Sequence, residues 1–252
     1  MKEVTLIVGH GSRDADGNEE FVEFAELVKK AMPGREIETC FLELASPDIP
    51  TGISRLVKGG ATRIVVVPLI LLAATHVKLE IPEFIAKARE QYPEIEFVYG
   101  RNVGMHERII NLLVDRAQEV METTDDFSAM ETAIVLMGRG SSDSDANGNL
   151  YKISRILWEQ LHVNTVEVCF SGITYPSLPE GVERAVRHAA KRIIVVPYFL
   201  FTGVLMKRMR DVFNDLEQKY PNHNLQMAHY FGMHDDLVEA VVDRIREMDE
   251  LK

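Results

Sequence analysis

Three side chains able to hold a metal ion or a proton, His10, Glu43 and His76, stand in one half of this chain and have no equivalent in the other. Two imidazoles and a carboxylate suit a divalent first-row ion such as Fe2+, Co2+ or Ni2+. Three protein ligands leave coordination positions open, as a site that passes its ion onward requires. A neutral imidazole also takes up a proton near neutral pH. The chemistry readable from these residues is loose metal holding joined to proton transfer.

The comparison that isolates them is internal to the sequence. Residues 6–14 read LIVGHGSRD and residues 135–143 read VLMGRGSSD; residues 63–68 read RIVVVP and residues 192–197 read RIIVVP. His10 and Arg139, Cys40 and Cys169, and Arg63 and Arg192 are each 129 residues apart, so the copies align without a gap through the third strand. At that spacing Glu43 faces Gly172 and His76 faces Leu205. An arginine is neither base nor ligand at neutral pH, and glycine and leucine offer no ligand atom. A shared fold accounts for what both copies keep; a function confined to one copy accounts for these three.

Bulk composition narrows the classes. The 252 residues suit two domains, each long enough to bury a core. The net charge of −11 comes without a basic stripe, which argues against a nucleic-acid partner. The two cysteines sit in apolar strand patterns with no CxxC, so zinc ribbons, iron–sulfur clusters and dithiol redox sites lack ligands. They read as buried, inert thiols in a reducing compartment. The N-terminal apolar run is too short for a signal peptide, and the run Ile64–Ala74 contains Pro68 and falls short of a membrane span. A cytoplasmic protein without a membrane partner is expected.

Short β-branched runs alternate with helix-period segments. Val4–Val8, Glu38–Leu42, Arg63–Leu69 and Glu96–Tyr99 read as strands, matched by Ala133–Met137, Val166–Phe170, Arg192–Pro197 and Leu225–Tyr230. A helix is expected to begin near Val77. This alternation predicts an α/β protein of two tandem duplicated doubly wound parallel-sheet domains, 1–124 with the site residues and 131–252 without them, joined by the acidic stretch 122–131. In such sheets ligands bind beyond the carboxyl ends of the strands. His10, Glu43 and His76 follow three different strands and so aim at one rim.

Other positions carry less. Gly9–Arg13 forms a strand-to-helix turn that matches neither GxxxxGK[ST] nor GxGxxG. Its exposed N–H groups, with Ser12 and Arg13, are candidates for an anionic group. Asp14, Asp16 and Asn18 recur as Asp143, Asp145 and Asn147, which favours helix capping. His106 and His234 share a Gly-Met-His context in both copies and read as structural. His223 and His229 fall on one face of the last strand by period two, as a half-exposed face would. His162 and His188 read as solvated; Lys78, Lys207, Arg208 and Arg210 are candidates to line an interdomain cleft and meet carboxylates, with solvated helix positions as the default reading.

Beyond these readings, GHGSR, FLELASP after the second strand and VVVPLILLAATHV after the third resemble the class II tetrapyrrole chelatases. More narrowly, the whole chain is similar to the two-domain sirohydrochlorin chelatases. The resemblance implies a cleft between the domains, an octacarboxylate tetrapyrrole as substrate, and metal and proton roles for His10, Glu43 and His76. It implies substrate contacts from Ser46 and from Leu71, Leu72, Ala73, Ala74 and Thr75. Long cobalt-inserting relatives carry a His-rich tail and a cysteine cluster, whereas this chain ends MDELK, which points to the iron-inserting branch. The implied reaction is Fe2+ insertion into sirohydrochlorin, with Co2+ insertion or a non-catalytic tetrapyrrole or metal carrier as alternatives. No cofactor beyond the substrate metal is expected. A monomer is expected, because the duplication supplies internally what a homodimer would.

Overall fold

The computed structural model describes residues 2–124 and 126–250. Each copy opens on a strand too apolar to show either face to water. Val4, Leu6, Ile7 and Val8 are fully buried, as expected of a parallel sheet covered on both sides. This strand, β1 (Glu3–Gly9), lies in a parallel sheet of order β2-β1-β3-β4 with β2 (Glu36–Phe41), β3 (Arg63–Pro68) and β4 (Glu96–Tyr99). The second sheet, β6-β5-β7-β8, repeats it with β5 (Thr132–Gly138), β6 (Thr165–Phe170), β7 (Arg192–Pro197) and β8 (Asn224–Met227). Even the register is copied. Ile7 pairs with Thr39 and Val67, and its equivalent Leu136 pairs with Val168 and Val196.

The helices are α1 (Ala15–Ala31), α2 (Ile49–Lys58), α3 (Ile81–Gln91), α4 (Glu107–Met121), α5 (Ser144–Leu161), α6 (Leu178–Arg187), α7 (Val204–Lys219) and α8 (Asp235–Asp249). Side-chain alternation splits the first sheet between them. Val4, Leu6, Val8, Ile64 and Val66 pack with Ile53 of α2 and Ile81 and Ile85 of α3. On the other face, α1 packs against α8, and α8 against β3. Asp14 and Asp143 cap α1 and α5, accepting from the Asp16 and Asp145 amides at 3.2 and 2.9 Å. Burial pushes the Cys40 and Cys169 thiols well up, which bears out their reading as inert.

Compact packing and sequence repeat divide the chain differently. One unit is Met1–Ile109 with Met233–Lys252; the other is Ile110–Gly232. The repeat alone suggests 1–124 and 131–252. The last helix of each copy makes the difference. α8 is tied to the first unit by Arg63 Nη2, which donates to the Met248 carbonyl at 3.0 Å, by Arg35 Nη1 on the Asp249 carboxylate at 2.9 Å, and by Arg244 Nε on the Asn102 carbonyl at 3.0 Å. α4 is tied to the second unit by Arg116 Nη2 on the Phe231 carbonyl, at 3.0 Å, and by Arg192 Nη1, which holds the Met121 carbonyl at 2.9 Å.

β8 ends at Met227, three residues before the apolar pattern does. His223 and His229 therefore flank the strand instead of sharing its face, and His229 Nδ1 lies 2.7 Å from the Tyr230 carbonyl. His106 and His234 have structural roles. Each accepts at Nδ1 from the amide two residues on, at 3.3 and 3.2 Å, at the start of α4 and α8.

That acceptor role makes His106 sensitive to pH. Burial lowers its pKa below the usual 6.5, helped by the Arg244 charge and then Arg108, and opposed by Asp243 and Glu247. A histidine whose folded pKa is depressed binds its proton more readily when unfolded. Its stabilising contribution is present above about 6.5 and is lost as pH falls through the lower folded value. The melting temperature of the protein should fall more steeply between pH 7 and 5 than that of His106→Asn, which keeps a capping oxygen without a titrating ring. Parallel curves for the two proteins would contradict this.

Candidate active site

The first copy places His10, Glu43 and His76 at the carboxyl ends of β1, β2 and β3, beside the point where the strand order reverses. A ligand atom from each lies within 4.8 Å of the others, and no other such group of three occurs among the described residues. Two atoms on one first-row ion lie at most about 4.2 Å apart, so the set draws in slightly around an ion. The imidazoles meet edge to face, with centroids 4.7 Å apart at 84°.

The backbone explains why Glu43 reaches His10. The Glu43 amide donates to the His10 carbonyl at 3.1 Å. Gly11 has φ +89°, and a Cβ there would stand 1.8 Å from the Glu43 carbonyl oxygen. Only glycine permits that approach. Leu44, directly after Glu43, takes a left-handed φ of 62°, whereas its equivalent Ile173 does not. Strained backbone of this kind clusters at functional sites. Asn18 clamps the turn itself. Its carbonyl oxygen accepts from the Ser12 amide and its amide donates to the Ser12 carbonyl, both at 2.9 Å. Asn147 and Ser141 repeat the clamp at 3.0 and 2.8 Å. The scaffold of the turn is common to both copies, whereas His10 and Arg13 are replaced by Arg139 and Ser142.

Hydrogen bonding orients both rings. His10 Nδ1 lies 3.1 Å from the Gly11 carbonyl, an acceptor only, so Nδ1 carries the proton. His10 Nε2 then turns a lone pair toward Glu43 Oε1, 3.6 Å away. Two lone pairs so opposed call for a proton or a cation between them. His76 Nδ1 lies 3.0 Å from Glu80 Oε2, which by the same logic leaves its Nε2 lone pair available. The sequence reading missed Glu80.

The remaining expected site residues are dispersed along the same rim. The Ser12 hydroxyl accepts from the Asp14 amide at 3.0 Å, and Ser141 does the same toward Asp143. Arg13 is exposed and has no ion-pair partner among the described residues. Ser46 borders an open groove of about 510 Å³, with Phe41, Val22 and Leu44 on its apolar side and Glu19 and Glu23 along α1. Leu71, Leu72, Ala73 and Ala74 are half-buried and Thr75 is exposed. The loop they form is held by Asn102, whose amide donates to the Leu71 carbonyl at 2.5 Å.

The model of the CbiX family matches residues 4–120 and again residues 133–248, one match for each copy. The chain belongs to the CbiX family. Within it, the chain is 44% identical to the sirohydrochlorin cobaltochelatase of Priestia megaterium, over 98% of this chain and 80% of that one. It is 38% identical to the sirohydrochlorin ferrochelatase of the same organism, over 98% and 90%. A solved structure of SirB from Bacillus subtilis with Fe3+ superimposes with a TM-score of 0.85 at 33% identity, covering 98% of this chain and 96% of that one. The doubly wound, duplicated architecture expected from the sequence is thus that of the CbiX chelatases.

Proposed function

We propose that this chain is a sirohydrochlorin ferrochelatase that holds Fe2+ at His10, Glu43 and His76 and exchanges it for two inner N–H protons of the macrocycle. The observation that carries the assignment of these residues is their convergence in one copy while the other has Arg139, Gly172 and Leu205. Balance requires the ion to enter and two protons to leave. His10 is both a ligand and the first base, His76 shares the ion or relays a proton, and the Glu43 carboxylate lowers the charge of the ion. A set of three ligands in an open site suits transfer, because the four ring nitrogens must win the metal; a closed tetrahedral site would retain it. Ser12, Arg13, Ser46 and Leu71–Thr75 border the substrate, with Arg13 facing a carboxylate arm. The reaction needs no cofactor besides its substrate metal and takes place in the cytoplasm, on a monomer, without a nucleic-acid or membrane partner. Among the described residues no helix is long and apolar enough to cross a membrane.

The same ligands accept Co2+, and the 44% identity to a cobaltochelatase favours that metal as a second reading. Steady-state turnover of sirohydrochlorin with Fe2+ and with Co2+, followed in the visible spectrum, decides between them. A higher kcat/KM for Co2+ would overturn the iron assignment. A spectral change that stops at one equivalent per protein would identify a carrier and overturn both.

A further inference from the structure

The helix that carries His76 is not a plain copy of its counterpart. In α7 the buried positions Met206 and Met209 are three residues apart. In the first copy the matching positions, Val77 and Ile81, are four apart. From there Ile85 and Ala88 run in step with Phe213 and Leu216, and Tyr92 closes its helix as Tyr220 does. One extra residue therefore lies between Val77 and Ile81. It is accommodated as a π turn, His76–Glu80, whose His76 carbonyl accepts from the Ile81 amide. Single inserted turns of this kind recur at functional sites.

Two further residues of the first copy support the turn. Pro82 has no N–H to offer the Val77 carbonyl, the next acceptor in the π pattern. The Tyr99 hydroxyl supplies the donor instead, at 2.9 Å. By strand register, Tyr99 of β4 corresponds to Met227 of β8, which has no hydroxyl. Insertion, proline and tyrosine thus occur together on the side with the imidazoles.

The turn brings the Glu80 carboxylate 3.0 Å from His76 Nδ1. We propose that the inserted turn makes Glu80 a positioning residue for His76, fixing its Nδ1–H tautomer and ring angle so that Nε2 faces the substrate metal. Carboxylates behind metal-binding imidazoles act in this way. The inference rests on the metal site proposed above and adds to it a carboxylate outside the ligand set.

Co2+ titration of the whole protein, followed by its visible d–d bands, tests the proposal with Glu80→Ala, Glu80→Gln and His76→Ala. Glu80 is 43% exposed, so its variants should melt as the parent does. Glu80→Ala should weaken Co2+ binding by about 10- to 100-fold, and Glu80→Gln, which still accepts from Nδ1–H, should recover most of the loss. In metal-free protein, 15N spectra of the histidines should show His76 as the Nδ1–H tautomer in the parent and in Glu80→Gln, and as a mixture in Glu80→Ala. Parent-like Co2+ affinity in Glu80→Ala, or a Glu80→Gln as weak as Glu80→Ala, overturns the positioning role. If His76→Ala also binds Co2+ as the parent does, the metal site itself is misassigned.

Discussion

His10→Ala and His76→Ala should each slow metal insertion by about 10²- to 10⁴-fold, the usual worth of a positioned general base. Both variants should fold. The second copy builds the same strand-to-helix turn, with the same Asn–Ser clamp, around Arg139, and the helix after β7 around Leu205. The imidazoles are thus dispensable to the scaffold, so a loss of rate in these variants reports on the proposed chemistry and not on folding. His223→Ala, remote from the rim in sequence and outside β8, should keep the parental rate. Initial rates with sirohydrochlorin and Fe2+, with circular dichroism to verify folding, provide the measurement. Rates within threefold of the parent in both first-copy variants would remove the basis for the assigned site.

Arg63→Met should be the most destabilising of the substitutions considered. Arg63 is 1% exposed, and both terminal nitrogens of its guanidinium donate hydrogen bonds. It pairs closely with Glu3 through Nη1, donates to the Met248 carbonyl and has Glu96 Oε1 3.1 Å from Nε. Removing one partner of a buried pair costs about 3–5 kcal/mol when the other is left unpaired. Glu3 keeps Arg35 at 2.9 Å, so that range is the upper bound here, with the loss of a tie to α8 added. For a chain of this size that bound is a fall in melting temperature of roughly 10 °C. Burial by itself would raise the pKa of Glu3, but its hydrogen bond to Arg63 and the charges of Arg35 and Arg63 outweigh burial and hold it below the usual 4.5. A depressed carboxylate stabilises the fold above about 4.5 and ceases to do so as pH falls through the folded value. Arg63→Met should therefore also flatten the acid limb of the stability curve. Thermal unfolding at pH 7 and across pH 5 to 3 tests both parts. A melting temperature within 2 °C of the parent would show that the buried pair contributes nothing net.

Much of the candidate site could be read from the sequence because a duplicated chain carries its own control. Three ligand-type residues absent from the second copy, each following a strand, were enough to find His10, Glu43 and His76. The alternating strands and helices, the Asp14 and Asp143 caps and the buried thiols follow from local patterns of period two or 3.6 and from spacing. Glu80 escaped notice because it lies inside a helix, four residues past His76, and not at a strand end where ligand-type residues were sought. The length difference between the copies is visible only as an offset after the third strand, and buried positions were needed to locate it within one turn. The packing partners of α4 and α8 were hidden for a different reason. Both copies end in a similar amphipathic helix, and periodicity reveals an apolar face without naming the sheet that covers it. Arg63 and Arg192 are the first residues of β3 and β7, where a charged residue gives no local sign of burial. Their burial depends on α8 and on the carbonyls after α4, contacts 60 or more residues away in the chain.

The tie between Arg63 and α8 has a consequence for synthesis. The strands that present His10 and His76 are made early, but the helix that covers their second face is made more than 150 residues later. A nascent chain stopped before Met233 has His10, Glu43 and His76 without the support behind β3. A rim backed on both faces thus requires translation to have passed α8 (Asp235–Asp249).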